Sequence, residues 1–256
     1  MRRPTALPPD RRLRARVPAA ARALFVVASA LASLVAASPA GARALVAMIG
    51  DSTMWGGTAP PAADKVQQAA TDPGRSLAAL LALLPETSKW HAGEVVNLGM
   101  PGTGTRDWME AFPERLCAPA KRSQSPRLLA AACERKVPLA DAVQPALDGR
   151  TPDAILVLLG TNDVIAKIDP QTTAANLARL REHLPAGPIF IAPPIRPPSP
   201  PGSTFAEGVR RELLARGLLN GPDWPPLPTV DGIHLTEGGY AAAAGLWIDV
   251  LRKQTP

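Results

Sequence analysis

Four short runs of mostly aliphatic residues punctuate the chain, at 44–49, 94–98, 153–159 and 188–192, and each is closed by glycine or proline. Runs of this length without strict polar alternation predict strands buried on both faces. Between and beyond them, apolar residues recur every three or four positions, which predicts helices over 74–84, 106–116, 138–147, 172–184, 204–219 and 237–251. Strands alternating with helices require right-handed crossovers. They build a three-layer α/β/α fold whose mostly parallel central sheet is covered on both faces. The stretch 117–137 interrupts this alternation and reads as an insertion. The proline-rich segment ending at Pro201 is too short to separate two domains, and no internal repeat is visible. With 256 residues, 46% of them hydrophobic, one core spanning 43–256 is expected.

In a parallel sheet, ligands collect at the carboxyl ends of the strands. Three glycine-bearing loops directly follow predicted strands: Gly50-Asp51-Ser52, Gly99 to Thr105, and Gly160-Thr161-Asn162-Asp163. All three are therefore expected to face one crevice.

Charge changes the picture at one end only. The formal charge is +6, but up to Ala42 seven arginines stand against the single acid Asp10, so the rest of the chain is close to neutral. A basic surface for nucleic acid is not expected on the folded part, and no nucleic-acid partner is assigned. The first 42 residues instead run from arginine-rich, through an apolar stretch at 23–37, to the small residues Ala40-Gly41-Ala42. This is the order of a secretory signal. The apolar stretch of roughly 15 residues falls short of the ~20 that a bilayer-spanning helix needs, which favours cleavage over permanent anchoring. An uncleaved tether would be the one contact with a membrane. The Arg11-Arg12 pair lies in a poor context for twin-arginine export. A periplasmic or secreted location is expected, and there the only two cysteines, Cys117 and Cys133, are expected to pair rather than remain buried thiols.

A serine hydroxyl becomes a useful nucleophile only beside a base, and the base needs a partner to fix its tautomer. The chain holds three histidines. His91 precedes a predicted strand, at the wrong edge of the sheet, and His183 lies near a helix end with no glycine loop beside it. His234 follows Asp231 by three residues in a turn before the last helix, where a carboxylate can hold one ring nitrogen while the other faces Ser52. Asp231 is equally suited to capping a turn, with His234 packing on the helix start. Gly102 and Asn162 offer a backbone and a side-chain N–H to an oxyanion, or serve as turn punctuation and a local cap. Trp55, so near Ser52, is expected to contact substrate; Met54, Trp108 and Trp224 read as lid or core packing.

Together the pieces are more specific than any one. Gly-Asp-Ser52 after the first strand, Asn97-Leu-Gly-Met-Pro-Gly102 after the second, Gly160-Thr-Asn162-Asp after the third and Asp231-x-x-His234 before the last helix resemble, in order and context, the four blocks of the SGNH hydrolases, also called GDSL-type esterases. The resemblance covers nearly everything after residue 42. It implies the flavodoxin-like SGNH architecture and a serine esterase that needs no metal or cofactor. It further implies Ser52 as nucleophile, His234 as base and Asp231 as its orienter, with the Ser52 amide, Gly102 and Asn162 as oxyanion donors. Thr53 stands where the family's older name expects leucine, a position without chemistry. The α/β-hydrolases, by contrast, carry a Gly-x-Ser-x-Gly elbow that is missing here. Small-molecule, lipid and glycan esters remain open as substrates. Two other readings stand beside hydrolysis: transfer or removal of acyl groups on an envelope polysaccharide, and a non-catalytic carbohydrate-binding module on the same fold.

Overall fold

The computed structural model describes residues 43–58, 67–68, 73–110, 114–118, 124–195, 197 and 202–254. The expected leader and its cleavage site lie outside the described residues. Those that are described belong to one unit, within Gly41–Pro256.

The central sheet has four parallel strands, β1 (Leu45–Gly50), β4 (Glu94–Asn97), β5 (Ala154–Leu158) and β6 (Ile189–Ala192), in the order β4-β1-β5-β6. All four predicted strands are present, shifted by a residue or so at their ends. β1, β5 and β6 are buried along their whole length, which explains their lack of polar alternation. Ala47, Ile49, Ile155, Val157, Ile189 and Ile191 enter one core; Val46, Met48, Leu156, Leu158 and Phe190 enter the other. This two-residue period is the pleat distributing side chains to opposite faces.

The first face is covered by α3 (Thr105–Met109), α4 (Pro126–Arg135), α5 (Val143–Ala146), α6 (Pro170–His183) and α7 (Gly202–Ala215). The second is covered by α2 (Pro73–Ala82) and α8 (Glu237–Lys253), together with Met54 from the one-turn helix α1 (Ser52–Trp55). Trp90 closes this layer, its indole N–H donating to the Leu251 carbonyl at 3.0 Å. At the outer edge of β6, the Asn220 side chain donates to the Ile189 carbonyl and accepts from the Ile191 amide. It thereby satisfies backbone groups that a further strand would otherwise pair.

Several elements differ from the sequence-based expectation. The helix expected over 106–116 ends at Met109, with Glu110 extended, and a 3-10 turn occupies Glu114–Cys117. Pro113 is compatible with this end, because a helix continued through it would leave the Met109 carbonyl without its N–H partner and against the proline ring. The helix expected over 138–147 is a 3-10 turn, Ala140–Ala142, followed by α5, with Pro145 inside it. The stretch read as an insertion contributes the ten-residue α4, which buries Leu128, Leu129 and Ala132 in the core. Pro126 at its first turn and Arg135 in its last turn are the sequence signals of that helix. A short antiparallel pair, β2 (Gly57–Thr58) with β3 (Gln67–Gln68), was not expected.

The chain passes from β1 to β4 on one side, then crosses to β5 on the other. β1 is thus the topological switch point where a crevice opens at the carboxyl edge. In register, Gly50 lies opposite Leu158 and Met48 opposite Asn97. The three glycine loops consequently leave the sheet close together.

Candidate active site

Ser52 leaves the end of β1 at the start of α1. Asp51 caps this single turn, accepting the Thr53 amide at 2.9 Å, and Gly56 ends it in the left-handed conformation. Gly50 has to be glycine, because a Cβ there would overlap the Leu158 carbonyl of the neighbouring strand. As the first residue of the helical turn, Ser52 has an amide with no intrahelical acceptor.

The structure brings His234 to this serine across 182 residues of sequence. The distance from Nε2 to the Ser52 Oγ is 3.0 Å, and Nδ1 lies 2.7 Å from the Asp231 Oδ2. His234 and Ser52 are buried, while the Asp231 side chain keeps 32% exposure. Both roles weighed for Asp231 coexist. Its Oδ1 accepts the amides of Ile233 (3.0 Å) and His234 (2.7 Å), closing the turn, and its Oδ2 is left for the imidazole. The turn is tied at its base by the Val230 amide to the His234 carbonyl and the Thr236 amide to the Pro228 carbonyl. Thr236 then caps α8, accepting from the Gly239 amide. Burial pushes the Asp231 carboxyl up, but the bonds from the His234 ring and from the His234 and Ile233 amides outweigh it. The carboxyl therefore titrates below its ordinary range.

The other two histidines lie elsewhere. The His91 Nδ1 is 2.6 Å from the Leu84 carbonyl, and the His183 Nδ1 is 3.2 Å from the Asp141 carboxylate on an exposed surface.

The remaining two loops meet the serine turn: Gly99 packs against the Trp55 backbone, and the Thr161 amide donates to the Asp51 carboxylate. Gly102 sits exposed at φ +74, a backbone conformation that side chains disfavour, with open space where a Cβ would point. The Asn162 Nδ2 donates to the Thr103 carbonyl at 2.9 Å, which uses one of its two hydrogens and leaves the other available. Asn97 anchors the base of the second loop, donating to the Met54 carbonyl and accepting from the Gly99 amide. Trp108 is fully buried beneath it and donates to the Thr103 hydroxyl.

Trp55, the expected substrate contact, is buried. Its indole N–H donates to the Gln124 carbonyl at 2.7 Å, so the side chain ties α1 to the segment before α4. Cys117 and Cys133 are bonded, with a Cα separation of 5.8 Å, and hold the start of that segment to α4. The open volume next to the Asp231 turn has other walls. A cavity of about 270 Å³ lies next to Asp231 and is lined by Thr161, Val164, Pro194, Ile195, Phe205 and Ile233 among others. These residues come from four separate loops and helix starts, and no local pattern announces them. Among the described residues no group of three or more His, Cys, Asp or Glu is placed to hold a metal ion.

A parallel α/β/α fold with a hydroxyl, an imidazole and a carboxylate in hydrogen-bonded series at its carboxyl edge defines the class, an enzyme acting on ester bonds. Residues 46–199 match the model of the GDSL-like lipase/acylhydrolase family, and the chain belongs to that family. Its fold is similar to that of an aryl esterase of M. smegmatis, at 18% identity and a TM-score of 0.57, over 83% of this chain and all (100%) of that one. It is likewise similar to that of a carbohydrate acetylesterase from Sinorhizobium meliloti, at 16% identity and a TM-score of 0.57, with the same shares covered. No curated protein matches by sequence.

Proposed function

We propose that the chain hydrolyses carboxylic esters through a covalent acyl-enzyme on Ser52. The observation that carries this reading is the continuous path from the Ser52 hydroxyl through both nitrogens of His234 to the Asp231 carboxylate. The Ser52 oxygen attacks the ester carbonyl carbon as its proton passes to the His234 Nε2. The resulting oxyanion takes hydrogen bonds from the Ser52 and Gly102 amides and the free N–H of Asn162. Collapse expels the alcohol, which leaves with the proton from His234. A water then attacks the acyl carbon, His234 takes its proton and returns it to Ser52, and the carboxylic acid departs.

The cavity beside Asp231 favours an ester carrying an apolar aliphatic or aryl group over a bare sugar ester, since Val164, Ile195, Phe205 and Ile233 offer contact area and few hydrogen bonds. We also infer that the enzyme works outside the cytoplasm. The arginine-rich, apolar, then small-residue order of the first 42 residues supports this, as does the bonded cysteine pair.

The test uses purified protein with p-nitrophenyl acetate and a fluorophosphonate probe. Turnover and labelling of Ser52 are expected, with both lost in Ser52→Ala. Turnover that persists in Ser52→Ala refutes the proposal.

A further inference from the structure

Among the described residues, two fully buried carboxylates lie apart from Asp231, and each joins loops that come from different strands. Asp51 divides its oxygens: Oδ1 accepts the amide and the hydroxyl of Thr53 at 2.9 and 2.7 Å, and Oδ2 accepts the amide of Thr161 at 3.1 Å. Asp163 accepts the amide of Thr105 at 2.8 Å on Oδ1, and the hydroxyls of Thr105 and Thr173 at 2.6 and 2.7 Å on Oδ2. Thr161 and Asp163 are the two chain neighbours of Asn162. The residue before Asn162 is thus tied to the serine loop, and the residue after it to the loop bearing Gly102. Asn162 itself closes the bracket by donating to the Thr103 carbonyl.

Neutral hydroxyls and amides supply all of these bonds, so each carboxylate is desolvated against dipoles alone. That is a costly way to close a turn, and burial pushes the Asp51 carboxyl up despite the donors of Thr53 and Thr161. A charged acceptor has one advantage over a neutral one: its hydrogen bonds are roughly twice as strong, and so stiffer. Stiffness matters where a donor has to meet charge that exists only in the transition state, because there a displacement of about 1 Å removes most of the benefit.

We propose that Asp51 and Asp163 are positioning residues that hold the Asn162 side-chain amide on the developing oxyanion. They act on the reaction through Asn162 and touch no substrate themselves. The inference rests on the ester-hydrolase reading of the site.

Asp51→Asn breaks one link selectively. The two donors of Thr53 keep the amide oxygen where Oδ1 stood, so the new NH2 faces the Thr161 N–H, donor against donor. The expected result is a loss in kcat of roughly 10- to 100-fold with KM nearly unchanged, part of the ~100- to 1000-fold loss expected for Asn162→Ala. In the double variant the two losses should not multiply. Once Asn162 is gone, Asp51→Asn should cost no more than about twofold, because both changes remove one function. A merely structural Asp51 would lower the unfolding midpoint and leave the kcat of the folded protein, and the size of the Asn162→Ala effect, untouched. Should Asp51→Asn fail to fold, Thr173→Val replaces it in the same cycle. It removes one donor to Asp163 from α6, and a kcat loss of about two- to fivefold is expected, again absorbed by Asn162→Ala. Losses that multiply, or a folded variant with the parent kcat, overturn the inference while Ser52→Ala remains inactive. Turnover in Ser52→Ala overturns the reading of the site itself, and this inference with it.

Discussion

Asp231→Asn separates the two jobs of the Asp231 carboxylate. In the turn, the Ile233 and His234 amides both point at Oδ1, and only an oxygen satisfies them. The asparagine oxygen therefore stays there, and its NH2 takes the place of Oδ2, 2.7 Å from the His234 Nδ1. A donor at that point forces Nδ1 to accept and puts the ring proton on Nε2, where it faces the Ser52 hydroxyl and cannot receive its proton. The loop should keep its shape while the base is held in the wrong tautomer. A loss in kcat of about 10⁴-fold, or roughly 5 kcal/mol of transition-state stabilisation, is expected, with KM little changed. Asp231→Ala should lose activity and also loosen the turn, because both backbone bonds go with it. The measurements are steady-state hydrolysis of p-nitrophenyl acetate and a urea unfolding curve for each variant. Activity of Asp231→Asn within tenfold of the parent would refute the tautomer account; a large loss accompanied by unfolding would show that the turn, and not the ring, was damaged. The pH dependence has a definite sign. The Asp231 carboxyl is depressed in the folded protein, so the stability it contributes is complete above its ordinary value near pH 4. That contribution disappears as the pH falls through the depressed value. The acid side of the parent's stability curve should flatten in Asp231→Asn.

Three further outcomes are expected. Replacing Cys117 and Cys133 together by serine opens a loop spanning a separation of 16 residues and should cost about 3 kcal/mol, read as a fall in melting temperature of roughly 6–12 °C; an unchanged melting curve would refute this. Leu156→Ala, at a fully buried position of the central strand, should cost about 2–5 kcal/mol in urea unfolding while the folded fraction keeps its kcat; a loss in kcat without a loss in stability would contradict it. Val164→Phe narrows the cavity beside Asp231 and should lower kcat/KM for p-nitrophenyl octanoate about tenfold or more relative to the acetate; equal effects on both esters would show that this cavity does not hold the variable group.

Local pattern was enough wherever burial acts on consecutive residues. β1, β5 and β6 are legible because both faces of the sheet are covered, which leaves runs such as Ala-Ile-Leu-Val-Leu with nowhere for a polar side chain. The pairing of Ser52 with His234 was legible as well, because the chain has three histidines and only His234 stands three residues after a carboxylate in a turn before the last helix. α4 lies in the stretch expected to be an insertion, although Pro126 in its first turn and Arg135 in its last are helix signals. The helix expected over 106–116 is shorter in the structure because apolar spacing continues past Met109, whereas a helical Met109 carbonyl would find no N–H at Pro113.

What the sequence by itself determined, then, was the order of strands and helices and the set of chemically able residues, because both depend on neighbours within a turn or a strand. Only the tertiary structure decided which donors each carboxylate meets. Asp51 reaches Thr161 across 110 positions, Asp163 reaches Thr105 across 58, and the Trp55 indole reaches Gln124 across 69. Such contacts are selected by packing in three dimensions: a buried N–H or carboxylate takes whichever partner the sheet register brings within about 3 Å, and no periodicity in the chain encodes that choice.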